Sequence, residues 1–337
     1  MRIGIPRETK EGERRVGLLP DHIAVLASEG REIVVEAGAG TGVGVSDDDY
    51  RAAGAHIGSA ADAWDGDLVV KVKEVLDADL PHLARGSALF GFVQLPGEPR
   101  RTRALAHRGV SAIAYEMVCD AEGRFPMLAP MSVIAGRLAI DVATKHLGRV
   151  PARVLVLGAG NAGTAAAHAA RQAGAHVDVL RRAAATAEAV EGLALAADLV
   201  VGAARVSAEP TPKLLPRALV ARMKRGAMIV DISIDGGGVA ETSRTTTHAQ
   251  PTFVEEGVIH YCVPNMPNAD PRASAQLLAD AALPFVREMA SKGVARALRE
   301  NASLRSAVLL WKGRVNHAGI AREAGLAYTP VSDADLQ

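Results

Sequence analysis

Residues 154–181 read VLVLGAGNAGTAAAHAARQAGAHVDVLR: an apolar strand, a G-x-G-x-x-G turn at Gly158, Gly160 and Gly163, an Ala-rich helix and a second strand. In that order the three glycines have separate uses. Gly158 permits a tight turn, Gly160 lets the backbone approach a pyrophosphate, and Gly163 lets the helix lie close to the sheet with its N-terminal N–H groups facing the phosphates. A glycine triplet alone is weak evidence. Here both flanks are correct and no breaker interrupts Thr164 to Ala173, so a nicotinamide or flavin dinucleotide is expected rather than a bare structural turn. The chain is expected to be an enzyme.

The second strand ends on Arg181 and Arg182, where a carboxylate commonly accepts hydrogen bonds from the adenosine ribose. Asp178 lies three residues earlier, away from the strand tip. Two guanidiniums at that tip suit a 2′-phosphate, which favours NADP(H) and leaves NAD(H) as the alternative. A solvated surface arginine pair is the competing reading.

At 337 residues, two domains are expected. Hydrophobic residues at 49% and charged residues at 23% are those of a chain able to bury sizeable cores. Lys plus Arg equals Asp plus Glu at 38 each, which removes the electrostatic case for nucleic acid or an anionic membrane. Two distant cysteines, Cys119 and Cys262, lack metal-ligand spacing, so neither a disulfide framework nor a metal site is expected. No apolar leader or membrane-length run occurs, and a cytoplasmic location is expected.

Along the chain, strands alternate with helices. Arg2–Pro6, Glu32–Glu36, Leu68–Val72, Ala88–Val93 and Val110–Tyr115 read as strands, Asp21–Ser28 as a helix ended by Gly30, and Ser46 as a cap with Asp47 to Asp49 behind it. Met131–Leu147 has a continuous helical pattern; beyond the glycine unit come strands at Leu199–Ala203 and within Met228–Asp235, then long helices from Ala273 to Arg299. The fold class is α/β. The first domain is expected to be discontinuous, residues 1–128 and 272–337, around a dinucleotide-binding domain at residues 129–271.

The N-terminal third holds a group of cations. GERRVGLLP places Arg14 and Arg15 after the first strand, and LVVKVKE places Lys71 and Lys73 at the carboxyl end of an apolar strand, on the same side by alternation. Ligands of open α/β sheets bind at such ends. A clamp for a small carboxylate competes here with ordinary surface lysines.

GERRVGLLP, LVVKVKE, SAIAYE, LAPMSVIAGRLA, the glycine motif, VDISIDGGG and YCVPNMP occur in the order and approximate spacing of alanine dehydrogenases and the nucleotide-binding subunit of transhydrogenase, which the chain resembles over nearly its whole length. The resemblance implies two Rossmann-like domains, substrate in the cleft between them, and a homo-oligomer, dimer or hexamer. Carried over by position, Arg15 and Lys73 hold the substrate carboxylate and Asp235 lies beside the substrate amine. Ser132 and Asn265, with Met131 and Met266 beside them, line the nicotinamide site, and Glu116 sits on a strand end facing the cleft.

Three departures accompany the resemblance. LFGFVQLPG places Gln94 where the family carries a catalytic histidine, and glutamine cannot exchange a proton near neutral pH. Asp198 follows Arg181 by only seventeen positions, too few for the additional helix and strand expected there, and Arg181 replaces the ribose carboxylate. In its start, compact cofactor domain and basic residue after the second strand the chain is similar to carboxyethylornithine synthase. The leading expectation is hydride transfer between a nicotinamide and the alpha carbon of a small 2-oxo or 2-amino acid. Arg15 and Lys73 would hold the carboxylate, Asp235 would stabilise the cationic nitrogen, and Gln94 would hydrogen-bond the reacting oxygen or nitrogen. Alternatives are opine-forming condensation, a non-redox nucleotide-binding protein, and a subunit of a transhydrogenase-like assembly.

Overall fold

The computed structural model describes residues 1–204 and 211–337, apart from the side chain of Arg182. The chain forms two compact units, one from Met1–Pro130 with Asp270–Gln337 and the other from Met131–Ala269.

The first unit begins with β1 (Arg2–Ile5), α1 (Pro20–Ser28), β2 (Glu32–Glu36), α2 (Asp47–Ala52), β3 (His56–Gly58), α3 (Ala60–Trp64), β4 (Leu68–Val70), β5 (Ala88–Gly91), α4 (Pro99–His107) and β6 (Ser111–Ala114). Helix α2 starts as its sequence dictates: the Ser46 hydroxyl accepts from the N–H of Asp49, whose carboxylate accepts in return from the N–H of Ser46. Strand β4 stops at Val70, two residues short of the expected end. Lys71 and Lys73 therefore lie beyond the strand, and strand alternation does not set their directions. Strand β5 likewise ends at Gly91 rather than Val93.

Helix α5 (Leu128–Leu147), three residues longer than expected at its start, leads into β7 (Arg153–Leu157), α6 (Asn161–Gln172), β8 (His176–Leu180), α7 (Ala187–Ala196), β9 (Leu199–Gly202), α8 (Arg217–Val220), β10 (Met228–Asp231), β11 (Thr252–Glu255) and β12 (Val258–Tyr261). The second unit's sheet has the order β11-β12-β10-β9-β7-β8, parallel except for β11. Leu155, Leu157, Val200, Ile229 and Val258 build its core against Val190, Leu219 and Met223.

The chain then returns to the first unit through α9 (Pro271–Lys292), α10 (Val294–Glu300), α11 (Ala302–Ser306), β13 (Val308–Trp311), β14 (Arg314–Val315) and α12 (Ala318–Ala324). Gly293, at φ +83°, separates α9 from α10 within the stretch Ala273–Arg299 that was expected to hold long helices. On α9, Asp280 meets His22 of α1 at 2.9 Å, and Arg287 pairs with Glu29. The completed sheet has the order β14-β13-β6-β5-β4-β1-β2-β3, parallel except at β13 and β14. Trp64, Val69, Leu89, Leu105 and Leu310 fill one side of it, and Phe90 packs edge-on against Tyr115 and Phe285. Two largely parallel sheets with crossover helices are the α/β architecture that the alternating elements predict.

Candidate active site

Each sheet changes winding direction once. In the first unit β1 runs outward through β2 and β3, while β4, on the other side of β1, continues through β5 and β6; in the second unit β7 has β8 on one side and β9 on the other. Such switch points leave a crevice at the carboxyl ends of the strands, where open α/β sheets bind ligands. The chain following β1 and β4 carries Arg15 and Lys73. The chain following β7 carries the glycine motif.

At the second switch point the three glycines divide by physical need. Gly158 has φ +112°, and a Cβ there would stand 2.2 Å from the Ala203 carbonyl oxygen, just past β9. A Cβ on Gly163 would stand 1.9 Å from the Gly158 oxygen. The protein itself demands glycine at both positions. A Cβ on Gly160, which caps α6, would meet nothing within 4 Å among the described residues. Protein packing does not explain glycine there; close approach of a phosphate to the helix N-terminus does, so the cradle fits a dinucleotide. Arg181 is exposed directly after β8, and Arg182 opens a short 3-10 turn, its side chain outside the described residues. Asp178 lies within β8 and pairs with His176 at 3.5 Å.

The VDISIDGGG segment is shaped by an aspartate that the sequence reading passed over. Asp231 ends β10 at 1% exposure, and its carboxylate accepts from the N–H of Ser233 at 3.1 Å, the N–H of Val239 at 2.7 Å and the Ser243 hydroxyl at 2.6 Å. Burial raises its pKa, against the hydrogen bonds that lower it. These bonds fold residues 232–239 back on the strand end and leave Asp235 exposed in the 3-10 turn Ile234–Gly236. A carboxylate closing an apolar strand was the available signal. Asn265 adopts left-handed backbone at φ +52°, and Met266, 3% exposed, opens the next 3-10 turn. Ser132 is half-buried near the start of α5, with Met131 buried beside it.

At the first switch point the two lysines separate. Lys71, 1% exposed, donates to the Glu74 carbonyl at 3.1 Å and Asp79 at 3.2 Å, with Glu8 3.5 Å away. Thr9 and the N–H of Leu76 also bind Asp79, and Glu8 accepts from the N–H groups of Val72 and Lys73. Neither the surface-lysine nor the carboxylate-clamp reading holds for Lys71: it is the centre of a buried ion network that ties the segments after β1 and β4 together. Lys73 is 8% exposed, and among the described residues its ammonium has no hydrogen-bond or ion-pair partner. Burial depresses its pKa, as do the neighbouring charges of Arg15 and Lys10, while Glu13 and Glu74 act the other way.

Arg15 is 2% exposed whereas Arg14 lies at the surface. Its Nε and Nη2 donate to the two oxygens of Glu13, each at 2.7 Å. Burial would raise the pKa of Glu13, but the Arg15 hydrogen bonds and charge hold it down at about 2. Lys10 pairs with Glu74 at 2.6 Å, and the other Glu74 oxygen is buried without a hydrogen bond among the described residues. A buried group with an unsatisfied acceptor and an unpaired ammonium is one prepared for a polar ligand.

Gln94, past β5, is exposed at φ +48°, a region costly for a residue with a side chain. Glu116, past β6, holds it there: its carboxylate accepts from the N–H groups of Val93 at 3.3 Å and Gln94 at 2.7 Å, while Arg101 donates to the Gln94 carbonyl at 3.0 Å. Glu116 was expected to face substrate. Both its oxygens accept from the backbone that carries Gln94, and burial raises its pKa.

Comparison with known proteins agrees with this layout. The family model "Alanine dehydrogenase/PNT, N-terminal domain" matches residues 4–135, and its C-terminal companion matches residues 138–196 and 181–318. The chain is 40% identical to an alanine dehydrogenase of Mycobacterium tuberculosis over 364 residues, covering 98% of each, and 38% identical to one of Halomonas elongata, covering 97% of this chain and 98% of that protein. Among solved structures it is similar to an L-alanine dehydrogenase, at 35% identity and TM-score 0.91 over 96% of this chain and 99% of the other. It is also similar to a transhydrogenase from Sinorhizobium meliloti, at 26% identity and TM-score 0.84 over 94% and 99%. The chain belongs to the alanine dehydrogenase/PNT family and is an amino-acid dehydrogenase, an oxidoreductase of the CH–NH2 class that uses a nicotinamide cofactor.

Proposed function

We propose that the chain interconverts a small 2-amino acid and its 2-oxo acid, with alanine and pyruvate as the reference pair, and that it prefers NADP(H) to NAD(H). The observation that carries the substrate class is the buried pair Arg15 and Lys73 beside the β1/β4 switch point, with the Lys73 ammonium unpaired among the described residues. A carboxylate is the ligand whose charge and donor demand match that pair.

The nicotinamide, when bound, supplies or accepts the hydride. The protein's residues do the rest. Arg15 and Lys73 fix the substrate carboxylate and so orient the alpha carbon. Asp235 supplies a negative charge to the cationic nitrogen, and the Gln94 amide hydrogen-bonds the reacting oxygen or nitrogen without exchanging its proton. The N-terminus of α6, opened by Gly160, receives the pyrophosphate; Asn265, Met266, Ser132 and Met131 line the nicotinamide end. The exposed Arg181, with Arg182 beside it in sequence, favours the 2′-phosphate. Residues 1–128 and 272–337 thus serve the substrate and 129–271 the cofactor, in a chain expected to work as a homo-oligomer.

Nicotinamide absorbance followed with NADPH or NADH against small 2-oxo acids, each with ammonia and with several amines, tests the reading. Turnover of a 2-oxo acid dependent on a nitrogen source, faster with NADPH, is expected. Cofactor binding without turnover of any 2-oxo acid would leave the non-redox alternative standing.

A further inference from the structure

We propose that Lys213, with Thr211 beside it, is a positioning residue for the reaction: it clasps the turn that carries Asp235 and so fixes where that carboxylate stands. The inference rests on the reading of Asp235 as the charge offered to the cationic nitrogen. The clasp itself stands on geometry within the second unit. Asp235 is exposed, and among the described residues no hydrogen bond or ion pair engages its side chain, so its place is set by the backbone turn that carries it. Two sets of contacts hold that turn. Asp231 holds it through the N–H groups of Ser233 and Val239. Residues 211–215 run alongside it: the N–H of Thr211 donates to the Gly236 carbonyl at 2.9 Å, the N–H of Leu214 to the Val239 carbonyl at 2.8 Å, and Leu215 bridges Ala240 in parallel. The Thr211 hydroxyl donates to the Ser233 carbonyl at 3.3 Å. Lys213 closes the clasp, its ammonium donating to the carbonyls of Gly237 and, at 3.0 Å, Ala240.

The glycines after Asp235 record both holds. A Cβ on Gly238 would stand 2.5 Å from an Asp231 carboxylate oxygen, and a Cβ on Gly236 would stand 2.4 Å from the Thr211 hydroxyl oxygen. The carboxylate and the threonine press on the turn closely enough to demand glycine at both places. Lys213 adds what neither supplies, a charged donor shared by two carbonyls on the chain leaving Asp235, and such charge-assisted bonds are roughly twice as strong as neutral ones. Without it the turn keeps its inner hold but is free to shift at Gly237. A displacement of ~1 Å in a group that must meet developing charge is enough to slow a reaction strongly. The fold asks less of Lys213, because both Lys213 and Gly237 are exposed and water can replace the ammonium at that carbonyl.

The test compares Lys213→Met with the parent protein in turnover of pyruvate, ammonium and NADPH, and in amide hydrogen exchange across residues 233–241. Lys213→Met is expected to lower kcat about tenfold or more, to leave the KM for pyruvate and the dissociation constant of NADPH close to those of the parent, and to speed exchange in that segment. Asp235→Asn is expected to lower kcat by itself and to leave Lys213→Met little further effect on it. An unchanged kcat in folded Lys213→Met, a fall in kcat without faster exchange, or two effects that combine in full overturns the positioning role. Should Lys213→Met fail to fold, Lys213→Gln removes the charge and keeps a polar arm; the same fall in kcat at an unchanged KM is expected, and its absence overturns the inference. An Asp235→Asn variant with unchanged kcat, or a parent without turnover, would instead overturn the reading of Asp235, which distinguishes the two failures.

Discussion

Lys71 and Lys73 stand two residues apart and do opposite work. Lys71 balances Glu8 and Asp79 in a site closed to water, so Lys71→Met should cost about 3–5 kcal/mol, read as a lowered urea midpoint, because two buried carboxylates lose their cation. Lys73→Met removes an ammonium that has no described partner. It should leave the urea midpoint nearly unchanged or raised and should raise the KM for the 2-oxo acid strongly without changing cofactor affinity. A collapse of cofactor binding in Lys73→Met would move Lys73 out of the substrate clamp. Glu13 adds a pH signature. Its pKa falls from the ordinary 4.5 of a glutamate to about 2 on folding, so its pairing stabilises the protein above pH ~4.5 and that contribution is lost as pH falls toward 2. The stability gap between the protein and its Glu13→Gln variant, about 3 kcal/mol at neutral pH on this basis, should close across that acid window in urea titrations. At the adenosine end, Arg181→Asp should narrow or reverse the preference for NADPH by ~1.5–3 kcal/mol, and equal dissociation constants for the two cofactors in the unsubstituted protein would refute the assignment.

At the scale of the element, the glycine turn gives the sharpest contrast. Gly163→Ala drives a methyl into the Gly158 carbonyl and should destabilise the second unit by ~1–3 kcal/mol. Gly160→Ala meets no atom of the described residues, so its melting temperature without ligand should stay close to that of the parent, while the thermal shift produced by NADPH should shrink or vanish. Retention of the full shift in Gly160→Ala would mean that the phosphates lie elsewhere. The strand–glycine–helix–strand order of residues 154–181 was legible because each part has a local cause: apolar alternation, positive φ at Gly158, and small residues along α6. Strand ends were less legible. Strands β4 and β5 stop at Val70 and Gly91 although Val72 and Val93 are equally apolar, because the segments after them turn to serve Lys71, Glu8 and Glu116. Those partners lie up to 65 residues away in sequence, and no periodicity reports them. The roles of Asp231 and Glu116 escaped for the same reason: a carboxylate that folds a loop and one that touches substrate look alike at a strand end. Gln94 was visible as a departure from the family's histidine, but its left-handed backbone was not, since nothing in LFGFVQLPG requires positive φ.

For the whole molecule, two largely parallel sheets and family membership across nearly the full length agree on an amino-acid dehydrogenase, and the proposed function makes Gln94 the residue that sets how it handles nitrogen. A glutamine preserves hydrogen bonding and removes proton exchange, so hydride transfer should survive while steps needing an acid or base at that position slow. Imines formed with primary or secondary amines need fewer such steps than free ammonia does. The decisive measurement is the steady-state rate of NADPH oxidation with pyruvate and ammonia, compared between the protein and its Gln94→His variant, with an amine-containing control. Pyruvate-dependent turnover in both, slow with ammonia in the parent and faster in Gln94→His as an imidazole titrating near ~6.5 restores a proton shuttle, is the predicted result. If both proteins bind NADPH and neither turns over any 2-oxo acid with ammonia or amine, the assignment of a reductive clamp at Arg15 and Lys73 is contradicted.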